Sequence, residues 1–460
     1  MFLALVVFVF SLFFFAFRIN SYPLYNWDEA WYGEIIKNLV SGKHGWLVPF
    51  WNGHYYFDKP PLYFWLTAPI VHYFGLGEWQ IRSIAVISGA LAVLFTYLIA
   101  KHLFGKKTGV ISALIFVSLG QVWFRFSSAD LDSLQIFLFL GCVYFFLNSK
   151  RGKTQVILSG IFLGLSFLVK SWLVGLSPFV FLILYCLLFD RSLLRYLKQI
   201  LLLLLFASGW WYLAGGLFFG KEFVRWYIFS PGAGNFISGV NYLTPYYPKI
   251  IISDLGFWLV PMLFLPFFGE PKIKYPKFLI ISAIFSLIFL AALQLSSEKF
   301  NWYLLPLYPL FAICLAQLFS LIDLNKNKLF FTLLVLSFVG QFASNYHLIR
   351  RDRDRSRVGA DLGEFVSQKF SSETNFILDD RDFPAFIYYS NRGHVVVTTK
   401  DGGKPREPWI ISYQELKKLV RPYWVITQDW QKLDLGLPKE IINAPGNYRL
   451  VKFDTAWIKP

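Results

Sequence analysis

The first three quarters of the chain consist of apolar runs close to twenty residues long, separated by short polar loops. A helix of roughly 20 apolar residues crosses a bilayer. Backbone in lipid must satisfy its own hydrogen bonds, which leaves only helices and closed barrels. These runs are continuous in Leu, Ile and Phe and lack the period-2 alternation of barrel strands, so the barrel is excluded. Composition agrees. Of 460 residues, 56% are hydrophobic and 16% charged, whereas soluble domains average roughly 25% charged. The expected fold class is a polytopic α-helical membrane protein with about 11 transmembrane helices. They fall near 1–19, 79–100, 109–125, 131–148, 155–170, 172–189, 199–218, 251–269, 278–296, 301–322 and 329–346. The first run has no basic residue before it and no clear cleavage site, so it reads as an uncleaved anchor.

The net charge of +16 would suggest nucleic acid in a soluble protein. Its distribution gives another origin. Five short loops hold 14 basic residues, among them Lys107, Lys150, Arg191 and Lys277, against three acids, Asp190, Glu270 and Asp323. With alternating spans all five loops share one side, as cytoplasmic loops do. The expected topology has a cytoplasmic N-terminus and an extracytoplasmic C-terminal domain, in the plasma or inner membrane. No nucleic-acid partner is expected; membrane lipids are. Cys142, Cys186 and Cys314 lie in apolar runs and imply no disulfide framework.

Three segments depart from simple spans. In the long first outer loop, 28–40 carries apolar residues at helical spacing and 61–74 is apolar but short, so both are expected as interfacial helices. A second outer loop, 219–250, is rich in aromatics and includes Ser230-Pro231-Gly232-Ala233-Gly234. From 347 to 460 the composition shifts to 19 basic and 15 acidic residues with mixed helical and strand patterns. Strands are expected at Phe376–Leu378, His394–Val397 and Trp424–Ile426, and helices near 359–369, 383–391 and 413–419. The expected domains are therefore a transmembrane domain, 1–346, and an α/β domain, 347–460.

Ionisable residues close to membrane depth are costly and point to function. Asp28 and Glu29 open the first interfacial helix. They suit the helix dipole, and equally a base that takes a proton from an acceptor hydroxyl. Asp58-Lys59 precedes Pro60-Pro61. The lysine can snorkel to headgroups or present a point charge to phosphate. Arg125, Asp130 and Asp132 flank a turn that an ion pair would close. Arg82, Lys170 and Lys299 lie at outer ends of spans. The six histidines form no HExxH or Cys/His cluster, and the chain has no Walker A, GxSxG or GxGxxG motif. No metal and no cofactor are expected.

The first loop reads Trp27-Asp28-Glu29-Ala30-Trp31-Tyr32-Gly33-Glu34, then Ser41-Gly42-Lys43-His44-Gly45-Trp46-Leu47-Val48-Pro49. It continues Asn52-Gly53-His54-Tyr55-Tyr56-Phe57-Asp58-Lys59-Pro60-Pro61-Leu62-Tyr63-Phe64-Trp65. This ordered series resembles the membrane glycosyltransferases that include the bacterial aminoarabinose (lipid A) transferases and the protein O-mannosyltransferases, and it is more similar to the bacterial branch. The likeness continues at Arg82-Ser83, at Arg125 to Asp130, at Leu168-Val169-Lys170, and from Lys299 through Tyr303 to Pro309.

The resemblance implies a GT-C fold and an inverting transfer from a polyprenyl-phosphate sugar donor to a lipid, glycan or protein acceptor. By position it implies that Asp28 and Asp130 are catalytic, with Asp132 the alternative to Asp130. Glu29, Asp58 and Asp132 would support the acceptor or the reaction. Lys59, Arg82, Lys170 and Lys299 would meet the donor phosphate, and Tyr32 and Tyr303 would line the cavity. Position 31 is Trp where aminoarabinose transferases often carry Arg, so the acceptor is left open. The competing class is a lipid or sugar transporter or flippase. Transporters place polar groups near the midplane in related halves; here they gather at the outer ends of spans, without an internal repeat.

Overall fold

The computed structural model describes residues 2–17, 19–229, 246–268, 276–295, 299–355, 357–379, 383–399, 408–416, 423–433, 435 and 437–453. The Ser230–Gly234 stretch and the loop residues Glu270, Lys272 and Lys274 lie outside them. The chain forms two compact units. A helical unit comprises Met1–Ile19, Phe57–Thr67 and Arg82–Arg350; a sheet unit comprises Asn20–Tyr56, Ala68–Ile81 and Arg351–Pro460. This differs from the expected boundary at 346. Most of the first outer loop packs with the C-terminal residues, because its helix and hairpin carry aromatic faces that those residues cover.

A helix lies over every expected apolar run. Among the described residues six helices are long and apolar enough to cross a membrane: Glu78–Phe104, Arg191–Tyr227, Tyr246–Phe268, Lys277–Leu295, Asn301–Ser320 and Lys328–His347. A seventh candidate is the pair Lys106–Ser118 and Gly120–Phe126, bent by 72°. Shorter apolar helices run Phe2–Ala16, Leu131–Leu147, Lys153–Ser166 and Trp172–Leu188.

Two broken helices are mended from a third. At Leu119 the chain is extended (φ −66°, ψ 137°), which frees the Ser118 carbonyl. Asn345 donates its amide to that carbonyl at 2.8 Å, and the Trp258 indole donates to the Ser118 hydroxyl at 2.8 Å. At Gly256 (φ 44°) the neighbouring groups are taken up by Gln341. Its Oε1 accepts from Phe257 N at 2.9 Å and its Nε2 donates to Asp254 O at 3.0 Å. Gln341 and Asn345 stand one turn apart on Lys328–His347 and so share a face. Irregular backbone at membrane depth persists only with such internal partners.

Close helix packing comes from Gly160 and Gly164. A Cβ on Gly160 would meet Leu203 Cβ at 2.6 Å, and one on Gly164 would meet Ala207 Cβ at 2.6 Å. This is the small-xxx-small device of membrane helices. The basic loops gather at one end of the helical unit. Lys107 Nζ donates to Ser320 O at 3.1 Å and to Ile322 O at 2.5 Å. Lys150 pairs with Asp190 at 2.6 Å, and the bond from Lys150 holds the partly exposed Asp190 carboxyl below the usual carboxylate range.

In the sheet unit, Asp28–Val40 is helical as expected. A hairpin follows, β1 (Phe50–Trp51) and β2 (His54–Tyr55), with Trp51 opposite His54. Its turn is Asn52-Gly53 with φ of 47° and 83°, the Asn-Gly type I′ geometry. The C-terminal residues form β3 (Phe376–Asp379), β4 (Val396–Thr399), β5 (Ile410–Ser412), β6 (Trp424–Thr427), β7 (Glu440–Ala444) and β8 (Tyr448–Lys452). The order is β5-β4-β3-β6-β8-β7. β5, β4, β3 and β6 are parallel; β8 and β7 add antiparallel. Ile377, Val425 and Val451 make one core face with Leu416 and Leu433. Helices Arg357–Lys369, Pro384–Ser390 and Tyr413–Leu416 lie at the three positions where helices were expected, the last of them described as far as Leu416.

Candidate functional site

The bend at Leu119 leads into Gly120–Phe126, whose last turn carries Arg125. Arg125 Nη1 donates to Asp130 Oδ2, and the guanidinium lies 3.9 Å from the centre of the Trp302 ring. Asp130 caps the next helix, its Oδ1 accepting from Asp132 N at 3.0 Å. This is the ordinary means of satisfying a helix N-terminus. Asp132 Oδ1 in turn accepts from Lys170 Nζ at 2.6 Å. The two pairs are buried, with side-chain exposures of 9% and 4%, and of 15% and 7%. Buried charges persist when paired and hydrogen-bonded, and two cations balance two carboxylates here.

This cluster retains polar capacity. Asp132 Oδ2 and both amide atoms of Gln135, one turn further along the same helix, have no hydrogen-bond partner among the described residues. Gln135 is 1% exposed. Such groups in a native interior call for an occupant or a role.

The Pro-Pro segment is tied to the Lys170 loop, because Leu62 N donates to Leu168 O at 2.9 Å. Before the prolines, Lys59 Nζ meets Asp58 Oδ2 at 2.7 Å, both side chains partly exposed. Tyr227 donates to Lys59 O at 2.7 Å. Arg82 is almost fully buried and donates to Ile19 O at 2.6 Å. Lys299 Nζ donates to Gln294 O at 2.9 Å, and Tyr303 N donates to Phe300 O at 3.2 Å.

Asp28, Glu29 and Tyr32 belong to the sheet unit. Trp27 precedes them with φ 87°, a conformation bulky residues rarely adopt. Glu29 Oε2 accepts from Tyr25 N at 2.6 Å, and Ala30 N donates to Tyr25 O at 3.1 Å. The helix start is thus held from behind, with Asp28 half-buried and Tyr32 buried.

Of the expected site residues, Asp130, Asp132 and Lys170 come together, and Asp58 and Lys59 are bonded to each other. Sequence reasoning missed Gln135, Trp302 and Tyr227. A lone glutamine three residues after an aspartate in an apolar helix was the available signal for Gln135. No group of three or more His, Cys, Asp or Glu suited to a metal ion occurs among the described residues.

Comparison with known proteins places these features. A family model described as dolichyl-phosphate-mannose-protein mannosyltransferase matches residues 58–212. An undecaprenyl phosphate-alpha-4-amino-4-deoxy-L-arabinose arabinosyl transferase of Pseudomonas fluorescens is 27% identical over 310 residues, covering 64% of this chain. The chain spans about half, 53%, of that relative's length. The Yersinia enterocolitica protein of the same description is 30% identical over 169 residues, 35% of this chain and 30% of its own. Among solved structures, ArnT from Cupriavidus metallidurans bound to undecaprenyl phosphate superposes with a TM-score of 0.80, at 16% identity and 99% coverage of both chains. The oligosaccharyltransferase of Archaeoglobus fulgidus gives 0.57 at 15% identity, over 85% of this chain and 62% of its own. By sequence this chain is similar to these transferases, and its fold is that of ArnT, the GT-C fold of a multi-pass membrane protein.

Proposed function

We propose that the protein is an inverting glycosyltransferase that moves a sugar from a polyprenyl-phosphate donor to a lipid, glycan or protein acceptor on the extracytoplasmic face of the membrane. The observation that carries this reading is the arrangement of buried, charge-balanced pairs, Arg125–Asp130 and Lys170–Asp132, in a fold like that of an ArnT bound to undecaprenyl phosphate. The basic loops at one end of the helical unit support a cytoplasmic assignment for that end, with the paired acids at the other.

In the proposed reaction the acceptor oxygen attacks the anomeric carbon as the carbon–oxygen bond to phosphate breaks. One displacement inverts that carbon, by the logic that governs inverting glycosidases. Asp28 takes the acceptor proton, and the polyprenyl phosphate leaves with its electron pair. Lys59 meets the phosphate, where a cation already in place stabilises the growing charge without reorganisation; Arg82, Lys170 and Lys299 add to the positive field. Asp130 or Asp132 serves as the second catalytic aspartate, with Glu29 and Asp58 in support. The reaction is written without metal or cofactor.

The test is transfer from a labelled polyprenyl-phosphate sugar in membranes. Asp28→Asn should lower turnover by roughly 10²- to 10⁴-fold, the usual contribution of a positioned base. Lys59→Ala should weaken donor use. Normal transfer by well-expressed Asp28→Asn protein would remove the base role. Unchanged donor kinetics in Lys59→Ala would remove the phosphate contact. Scoring the label in lipid, glycan and protein fractions would identify the acceptor.

A further inference from the structure

Within the helical unit, the apolar stretch Arg191–Tyr227 is 37 residues long. Straight, it would reach about 55 Å, against a hydrocarbon core of about 30 Å. It is not straight. Gly220 takes φ 60° and ψ −138°, a region that glycine alone enters without strain. A Cβ there would meet nothing within 4 Å, so conformation and not crowding calls for glycine. Trp211 and Tyr227 would stand about 24 Å apart on a straight helix, yet their ring centres are 4.9 Å apart. The chain after Gly220 therefore turns back along the helix it has just left.

Packing fixes the returned segment. The Phe223 ring centre lies 5.2 Å from that of Trp211 and 4.7 Å from that of Tyr227. Phe223 passes over Gly215, where a Cβ would collide with its ring. Phe57 closes the cluster, 6.3 Å from Phe223 and 6.1 Å from Tyr227. Tyr227 is 2% exposed, and for packing alone Phe would fill its place as well. Its hydroxyl has a further use, because it donates to Lys59 O at 2.7 Å. That carbonyl is one end of a stiff segment. Pro60 and Pro61 have no N–H and a fixed φ, and the residue before a proline is restricted as well. The other end is tied where Leu62 N donates to Leu168 O at 2.9 Å, just before Lys170. Asp58 draws the Lys59 ammonium to 2.7 Å.

We propose that Tyr227 is a positioning residue for Lys59. The Gly220 turn brings its hydroxyl to the Lys59 carbonyl, and that bond sets the point from which the lysine side chain reaches a phosphate. Tyr227 acts through the main chain of Lys59 and not on the substrate. Lysine is a point charge on a flexible stem, so the placement of its root decides how much of its field arrives at the phosphate. Electrostatic stabilisation of a leaving group depends on such placement in advance. This rests on the phosphate role of Lys59 proposed above, and it gives the start of the second outer loop a part in donor binding.

The test is a double-mutant cycle on the full chain in lipid nanodiscs, with radiolabelled undecaprenyl phosphate as the probe and its Kd as the readout. Lys59→Ala is expected to weaken binding about tenfold, as loss of a charged hydrogen bond does. Tyr227→Phe keeps the ring and removes the bond, and should weaken binding about threefold to tenfold. In the Lys59→Ala background the same change should cause no further loss. A tyrosine with a merely structural role would weaken both backgrounds alike. That result, or unchanged binding by Tyr227→Phe, would overturn the positioning role. If Tyr227→Phe protein does not accumulate, Gly220→Ala strains the turn while keeping every side chain of the cluster, and the same pattern across the two backgrounds is read. The two readings fail differently. A loss on Lys59→Ala with none on Tyr227→Phe sinks positioning alone. Unchanged binding by Lys59→Ala, or no binding by the wild-type chain, sinks the phosphate contact, and positioning falls with it.

Discussion

The two units solve the problem of polar groups away from water in opposite ways. In the helical unit, charges are matched one to one: Arg125 with Asp130 and Lys170 with Asp132, each side chain nearly buried. In the sheet unit, neutral groups do much of the fixing, beside an ion pair between Lys37 and the buried Glu34. The Asn52 amide imitates a strand backbone, and Asp379 at the end of β3 is held by the hydroxyls of Thr427 at 2.5 Å and Tyr413 at 2.9 Å. Where the dielectric is lowest, removing one partner strands a charge. Where neutral groups are bonded, it strands only a dipole. The cost of single substitutions should differ accordingly.

The largest effect should follow Arg125→Ala. Breaking a buried pair from one side costs about 3–5 kcal/mol, and Trp302 loses its cationic neighbour. Thermal unfolding in detergent should show this, and Arg125→Met/Asp130→Leu should recover much of the loss. If the double variant were no better than the single, the pair would not be the source of the cost. In the sheet unit, Asn52→Ala leaves the Val395 N–H and C=O without partners and should cost about 1–3 kcal/mol. Exchange of the Val395 amide is the direct measurement. A loss as large as that of Arg125→Ala would erase the contrast between the units.

Gly160→Leu sharpens the comparison differently, because it tests packing rather than charge. Overpacking costs about 1–3 kcal/mol, and its effect should appear in the helical unit while exchange in β3, β6 and β8 stays unchanged. The smallest effect concerns pH. Burial, aided by the neighbouring His394, holds the His54 imidazole below its usual 6.5. The unfolded chain then binds the proton more readily than the folded one, so stability rises with pH in that window. The contribution is complete above about 6.5 and declines as pH falls toward the folded value. Protection of residues 50–55 should therefore be weaker at pH 5.5 than at 7.5, and His54→Gln should flatten the difference.

Much of the helical unit was legible because lipid imposes one rule on every span: an apolar run of fixed length. The breaks were not. Leu119 and Gly256 interrupt runs that read as continuous, and the residues that mend them, Asn345 and Gln341, lie far along the chain. The helix at 28–40 was legible from its spacing, whereas the hairpin of β1 and β2 went unread although Asn-Gly is a hairpin-turn pair. Strands β5 and β7, at the two edges of the sheet, and β8 beside β7 were missed because short strands depend on neighbours rather than on their own periodicity. Among site residues, the pairing of Asp132 with Lys170 could not be read, since 38 positions separate them. The division of the first loop between units was equally hidden, because local composition does not say which distant segment covers a face.

That division bears on how the protein is made. The sheet unit takes residues 20–56 and 68–81 from the beginning of the chain and residues 351–460 from its end. During synthesis the early helix and hairpin emerge first, and their aromatic faces wait uncovered while 82–350 are threaded into the bilayer. Domains generally fold as units once their chain is complete. A ribosome that stalls, or a nonsense codon late in the message, would therefore leave a protein with its membrane helices inserted and the Asp28 helix uncovered. Residues 351–460 complete what residues 20–81 began.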